Sequence, residues 1–190
     1  MFRLAIFASG EGTNAQNFID YYKNRKDVSI TIILSNKREA GVLKRAAAAN
    51  IKTIIVDKET FYKSDLILEE LKSKVDFIVL AGFLWMVPDN IIKAFAGKMV
   101  NIHPALLPSY GGKGMYGSKV HEAIIANKEK ESGISIHFVN EKYDEGKIIF
   151  QAKCLIEASD TPEILAKKIH ELEYKYYPII VDKLLHGNIS

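Results

Sequence analysis

The first hundred residues alternate between short apolar runs and helical patterns, a rhythm that leaves few folds open. Arg3–Ala8, Ser29–Leu34, Lys52–Val56 and Asp76–Ala81 are nearly continuous runs rich in Ile, Val and Phe, and Lys98–Ile102 is a weaker fifth. Continuous runs, rather than strict alternation, fit strands buried on both faces. Between them, Ala15, Phe18, Ile19 and Tyr22 keep i, i+3, i+4, i+7 spacing from Thr13 onward. Ala40–Asn50 is rich in alanine, leucine and lysine, and Leu66–Leu71 continues the helical trend before Val75. Strand–helix–strand units of this length make a parallel sheet with helices on both faces. The expectation is an α/β fold: a Rossmann-like, mostly parallel sheet flanked by helices, its first half ending near residue 103.

The second half reads differently. Gly111-Gly112-Lys113-Gly114-Met115-Tyr116-Gly117 is a Gly-rich loop, and Val120–Ala126 reads as a short helix. Ile134–Val139 and Ile148–Leu155 read as two strands, which predicts a mixed C-terminal extension of the sheet. Asp160-Thr161-Pro162-Glu163 is a helix start, with Asp160 as the expected cap. A long C-terminal helix follows, with an apolar stripe through Leu165, Ile169, Leu172 and Tyr176. Pro178 is expected to kink or interrupt it, because proline lacks the amide donor. No linker or repeat divides the 190 residues, so one domain is expected.

Composition narrows the function classes. The formal charge is +3 with interspersed signs, which argues against a nucleic-acid-binding face. The single cysteine, Cys154, rules out an internal disulfide and a thiolate zinc site. No His-Glu-x-x-His spacing or similar metal pattern occurs, so no metal is expected. The longest apolar run, Phe77 to Val87, is too short to span a membrane. Only Leu4 to Ala8 is apolar before Ser9-Gly10, short for a signal-peptide core, and a cytoplasmic protein is expected.

Three places carry candidate chemistry. Ser9-Gly10-Glu11-Gly12-Thr13-Asn14 follows the first strand and opens the first helix. Free amides at a helix N-terminus suit a phosphate, and Thr13 and Asn14 add donors; a plain strand–helix turn is the other reading. Asn101-Ile102-His103-Pro104 closes a buried strand. Side chains at i and i+2 of an extended segment share a side, so Asn101 and His103 should face one target. An amide and an imidazole there suit a developing oxyanion and a proton transfer, or the histidine is simply satisfied inside the core. The third place is the loop with Asp144, Glu145 and Gly146. A carboxylate raises the pKa of a neighbouring imidazole, but spacing alone favours reading Asp144 as part of a solvated hairpin.

The remaining histidines read more simply. His137 lies in a strand pattern and is expected to be a buried structural residue; His121 and His186 are expected on helix surfaces. His170 and Glu173 lie one helical turn apart and should share a face. In Ala81-Gly82-Phe83-Leu84-Trp85-Met86-Val87-Pro88, Phe83 is expected in the core, and Trp85 is placed to line a pocket for a flat ring.

Together these residues resemble a family. The ordered set Ser9-Gly10-Glu11-Gly12-Thr13-Asn14, Leu80-Ala81-Gly82-Phe83, Asn101-Ile102-His103-Pro104-Ala105-Leu106-Leu107-Pro108 and Ser135-Ile136-His137-Phe138-Val139 is similar to the phosphoribosylglycinamide formyltransferases, folate-dependent enzymes of purine synthesis. The resemblance continues to Glu173 and Tyr177-Pro178. It implies transfer of a formyl group from 10-formyltetrahydrofolate, a co-substrate, to the amine of glycinamide ribonucleotide. It implies that Asn101 and protonated His103 stabilise the oxyanion, that His103 donates a proton, and that Asp144 raises the His103 pKa. It further implies a phosphate on Gly12, Thr13 and Asn14 and ribose hydroxyls on Glu173. The folate ring would lie on the backbone of Leu84, Trp85, Met86 and Val87, with Asn101, Asp144 and the rest of 140–144 closing the pocket. On this resemblance residues 1–103 form the nucleotide-binding half and 104–190 the folate-binding and catalytic half of a single formyltransferase domain. Small molecules are the implied partners, with no nucleic acid and no membrane.

The sequence departs from the family in three places. Where relatives often place an arginine for the folate tail, this chain has Phe61-Tyr62-Lys63-Ser64, and Lys63 offers only a point charge. His170 stands where glutamine is common. The Gly111–Gly117 stretch is longer than in many relatives and is read as a mobile cover. Other readings remain beside this one: a formyltransferase for an amino-sugar nucleotide, a non-enzymatic nucleotide binder, or a nicotinamide oxidoreductase using Gly10-x-Gly12. The oxidoreductase requires an acidic residue closing the second strand, which ends Leu34-Ser35-Asn36-Lys37. A methionyl-tRNA formyltransferase or a formyltetrahydrofolate deformylase would carry a further domain.

Overall fold

A computed structural model of the chain describes residues 1–189. The fold is α/β, and the chain separates into two compact units, Met1–Val100 and the residues from Asn101 onward. The first unit is built on β1 (Phe2–Phe7), β2 (Val28–Ser35), β3 (Lys52–Ile55) and β4 (Phe77–Leu80). β1 pairs in parallel with β2 and β4, and β2 pairs in parallel with β3. With β5 (Met99–His103), which leads into the second unit, the order is β3-β2-β1-β4-β5. Leu4, Ala5, Ile6 and Phe7 of the central β1 are wholly buried and the four residues of β4 are buried, which is why these runs show no polar alternation.

Helices α1 (Thr13–Tyr22), α2 (Gly41–Ala48) and α4 (Leu66–Lys74) lie where the periodicity predicts them. Two short helices are additional: α3 (Lys58–Tyr62) and α5 (Asp89–Ala94). α3 has a capping box in which Asp57 accepts from the Thr60 amide at 2.8 Å and the Thr60 hydroxyl accepts from the Asp57 amide at 3.2 Å. Five residues are too few for an apolar period, so only the Asp-x-x-Thr spacing marks this helix.

In the second unit the order is β5-β6-β7, with β6 (Glu131–Phe138) antiparallel to β7 (Ile148–Leu155). Their register shifts between Ile136 and His137. The helices are α6 (Ser118–Ala126) and α7 (Pro162–Leu185). Three expectations for α7 are corrected. The cap is Thr161, whose hydroxyl accepts from the Ile164 amide at 3.3 Å. Asp160 is drawn away by Lys168, whose ammonium it meets at 2.5 Å. The buried stripe runs Leu165, Ile169, Glu173, Tyr177 and Val181, not through Leu172 and Tyr176, so it includes a carboxylate. Pro178 does not interrupt the helix, because Tyr177, Ile180 and Val181 around it are buried and hold the turn in place. Among the described residues no helix is long and apolar enough to cross a membrane.

Candidate active site

Asn101 and His103 close β5 and, two residues apart, project to one side. Asp144 meets them both. Its Oδ2 lies 3.5 Å from His103 Nδ1, and its Oδ1 lies 3.5 Å from the Asn101 amide nitrogen. Asp144 sits at φ 55°, a left-handed conformation that Asp adopts more readily than most residues. The loop whose spacing favours a solvated hairpin thus delivers its carboxylate to the two β5 side chains.

His137 is a fourth member: buried as expected, it also touches the site residues. Its Nε2 lies 3.1 Å from the Asn101 amide nitrogen and 3.5 Å from Asp144 Oδ1. The register shift beside it in β6 sets its aim, a common role for a bulge near a site. Its ring is only 2% exposed, so the sequence signal of burial was correct but said nothing of its neighbours.

Backbone carbonyls fix the protons of both rings, because a carbonyl can only accept. His137 Nδ1 lies 2.9 Å from the Phe138 carbonyl, so the neutral ring carries its proton there and offers a lone pair at Nε2. Asn101 therefore donates one amide hydrogen to His137. The second points at Asp144 across 3.5 Å, too long to be a strong bond, and is the donor available to an incoming anion. His103 Nε2 lies 2.7 Å from the Tyr110 carbonyl and donates to it. The Nδ1 of neutral His103 then faces Asp144 as a lone pair and is the nitrogen that can gain or lose a proton.

Burial is the largest influence on His103, which is 3% exposed, and it outweighs Asp144 and the Tyr110 carbonyl to hold the imidazole below its ordinary value. Asp144 does raise the His103 pKa, as the resemblance implies, but not enough to make the resting ring cationic at neutral pH. Burial pushes Asp144 up, yet its polar neighbours, the Gly112 amide among them, together bring it below its ordinary value. The resting pair is an anionic carboxylate beside a neutral imidazole.

Residues 110–112 pass directly over this pair. The Gly112 amide donates to Asp144 Oδ2 at 2.9 Å, opposite the Tyr110 carbonyl bond to His103. A Cβ on Gly111 would stand 3.3 Å from the Asp144 Cβ and 2.5 Å from Leu107, so glycine allows the close passage. Ser135 and Gln151 brace the preceding segment: the Ser135 hydroxyl accepts from the Leu107 amide and donates to the Ala105 carbonyl, and Gln151 donates to Leu107 and Ser135. The Gly-rich stretch is therefore a direct partner of the carboxylate at its first residues.

The first unit holds the remaining candidates from the early loops. Gly12 opens α1 at φ 71°, and a Cβ there would stand 2.5 Å from Val42 of α2. Gly12→Ala is expected to destabilise the protein by about 2–4 kcal/mol in denaturant melts, from strain plus overpacking. Thr13 is exposed and Asn14 half-buried at the start of α1. Arg45 donates to the Glu11 carbonyl at 2.7 Å and steadies the loop. Ser9 joins three segments: its hydroxyl donates to Asn36 at 2.6 Å and accepts from the Leu84 amide at 2.8 Å.

Leu84 to Val87 are held from the other side by α3. The Tyr62 hydroxyl donates to the Met86 carbonyl at 2.8 Å, and Trp85 packs on Phe61 and Tyr62 with ring centroids 6.1 and 6.0 Å away. Phe83 contacts Phe7 and Phe61 edge-on. Trp85 lines a cavity of about 330 Å³ with Asn36, Arg38, Ile55, Asp57 and Lys58. Lys63 is exposed and is not among the residues lining it.

On α7, Glu173 is 7% exposed, and burial first and then its charge drive the fully buried Tyr177 phenol well above its ordinary value. His170 does not share that burial; it is exposed and stacks on Tyr174 at 5.9 Å. His121, expected on a surface, is 5% exposed, and its Nδ1 has no hydrogen-bond partner among the described residues. It lies on the buried face of α6 with Val120 and Ile124. His186 is exposed at the end of α7, as expected. Among the described residues no three His, Cys, Asp or Glu side chains are placed to hold a metal ion.

Comparison with known proteins gives one answer. The formyl transferase family pattern matches residues 2–181. Phosphoribosylglycinamide formyltransferase of Bacillus subtilis is 33% identical, over 99% of this chain and 97% of its own length. The chloroplastic phosphoribosylglycinamide formyltransferase of Arabidopsis thaliana is 39% identical, but this chain spans only 67% of its length. A crystal structure of phosphoribosylglycinamide formyltransferase from Bacillus halodurans superposes with a TM-score of 0.87 at 37% identity, covering 96% of this chain and 95% of that one. With near-complete coverage in sequence and in fold, the chain belongs to the formyl transferase family, among the phosphoribosylglycinamide formyltransferases.

Proposed function

We propose that this protein transfers the formyl group of 10-formyltetrahydrofolate to the amine of glycinamide ribonucleotide, giving formylglycinamide ribonucleotide and tetrahydrofolate in purine synthesis. The observation that carries the reading is the convergence of Asn101, neutral His103 and anionic Asp144 on one point. The names of the whole-length relatives support the choice of acceptor.

The amine attacks the formyl carbon, and the carbonyl oxygen becomes an oxyanion while the nitrogen becomes cationic. The loosely held Asn101 hydrogen stabilises the oxyanion. Neutral His103 takes the proton from the new ammonium at Nδ1 and becomes an imidazolium beside Asp144, whose charge favours that state. The imidazolium adds its own stabilisation to the oxyanion. As the carbon–N10 bond breaks, the same proton passes to N10, so one proton leaves the amine and one arrives on the folate. No covalent enzyme intermediate forms.

Gly12, Thr13 and Asn14 are assigned to the substrate phosphate, Glu173 to its ribose hydroxyls, and the backbone of Leu84, Trp85, Met86 and Val87 to the folate ring, with Asn101 and Asp144 also bordering it. Residues 1–190 are read as one formyltransferase domain acting in the cytoplasm, with recognition of the nucleotide in 1–103 and catalysis in 104–190. The double variant Thr13→Ala/Asn14→Ala is expected to raise the KM for glycinamide ribonucleotide about 10-fold or more and leave that for the folate within about 2-fold. Equal weakening of both substrates moves the phosphate elsewhere. The reading as a whole is tested by offering glycinamide ribonucleotide and an amino-sugar nucleotide in competition with 10-formyltetrahydrofolate; preference for the amino sugar overturns it.

A further inference from the structure

The Tyr110 carbonyl determines which nitrogen of His103 carries the resting proton, and its own position is unusual. Tyr110 has φ 57°, a left-handed conformation that a bulky residue adopts only when its surroundings enforce it. Its side chain is tied down at the far end. The Tyr110 hydroxyl donates to Glu129 Oε1 at 2.7 Å and accepts from the Asn127 side-chain amide at 2.9 Å.

That anchor lies at a capped helix end. Asn127 is the C-cap of α6, Lys128 follows at φ 54°, and the Lys128 and Glu129 amides return to the Ile125 and Ile124 carbonyls at 3.0 and 3.3 Å. This is the paired closure of a Schellman motif, with Lys128 in the left-handed place and Glu129 next. Ile124 and Val120 bury the helix beneath it.

We propose that Tyr110 is a positioning residue for formyl transfer: its hydroxyl, tied to Asn127 and Glu129, holds the strained backbone whose carbonyl keeps His103 protonated at Nε2 and leaves Nδ1 open toward Asp144. The inference rests on the formyl-transfer reading for its consequence, but its structural content belongs to the free protein. With the tether cut, residue 110 relaxes toward ordinary φ and its carbonyl leaves the imidazole. The ring then distributes its proton between both nitrogens, and rings protonated at Nδ1 cannot accept the proton of the attacking amine there. The Gly112 amide, two residues on, loses its fixed approach to Asp144 at the same time.

The test is imidazole ¹⁵N NMR of the full-length protein above the His103 pKa, together with steady-state kinetics. Wild-type His103 should show a single Nε2–H tautomer. Tyr110→Phe should show a mixture of tautomers and a kcat lower by roughly 10- to 100-fold, with the KM for glycinamide ribonucleotide held within about 2-fold. The pair Asn127→Ala/Glu129→Ala cuts the same tether from exposed positions, where folding is not at risk, and should reproduce the mixture. A wild-type ring protonated at Nδ1, or a pure Nε2–H ring in both variants, overturns the proposal whatever the turnover. Failure of the formyl-transfer reading shows separately, as a wild-type protein with the single tautomer and no transfer to glycinamide ribonucleotide.

Discussion

Replacing His103 with alanine is expected to slow turnover by roughly 10²–10⁴-fold while the KM for glycinamide ribonucleotide changes little. The His103 imidazole can both take and return a proton, whereas the Nε2 of His137 is occupied by the Asn101 amide. Asn101 can only donate to an anion, and Asp144 is held in its ionised form. With His103 gone, the ammonium of the tetrahedral intermediate must lose its proton to water, and N10 must leave without an acid beside it. The residual rate comes from juxtaposition of the substrates and from the Asn101 donor. Near-normal turnover in this variant removes His103 from the mechanism.

The same variant has a stability signature. The pKa of folded His103 is depressed by burial below its ordinary 6.5, so the unfolded chain binds a proton more readily than the folded one. Its contribution is present above pH 6.5 and is lost as pH falls through the lower folded value. Asp144 acts at more acid pH: its folded pKa is below the ordinary 3.8, so its contribution is present above 3.8 and is lost below that. Denaturant melts of His103→Ala should lack the first of these losses.

Asp144→Asn is expected to lower kcat by roughly 10²–10³-fold and to move the acidic limb of the kcat/KM profile to lower pH. The sign follows from the site. Asp144 raises the His103 pKa against the opposing effect of burial, so removing its charge lets burial lower the imidazole further. The asparagine keeps the size of the side chain, an oxygen for the Gly112 amide, and tolerance of the left-handed backbone. Rate is lost because the imidazolium formed during transfer no longer has an anion beside it. A limb that stays in place shows that the two residues are not coupled. A limb that moves to higher pH contradicts the electrostatic account.

The sheet strands were legible because burial on both faces suppresses polar alternation: Arg3–Ala8 and Asp76–Ala81 coincide with β1 and β4 to within a residue or two. Asn101 and His103 were legible as a pair because extended backbone fixes the relation of i and i+2. The link to Asp144 was not, since 41 residues separate it from His103 and only the fold closes that distance. For a related reason His137 was legible only as a buried residue. A polar residue in an apolar strand announces burial, but its partner depends on a register shift that no local pattern encodes. His121 was placed on a surface although α6 buries it with Val120 and Ile124, because a nine-residue helix gives too few turns to fix which face turns inward. The α7 stripe failed at Glu173, where an apolar periodicity has no place for a buried carboxylate. The resting charge of His103 was also beyond the sequence, because it is set by the balance of burial against one carboxylate.

The most direct measurement follows the carbon itself. Protein supplied with 10-formyltetrahydrofolate labelled in the formyl carbon, together with glycinamide ribonucleotide, should place the label on the glycinamide nitrogen and release one tetrahydrofolate for each label transferred. Label that remains on the folate, or that emerges as free formate at the rate of folate release, contradicts the account.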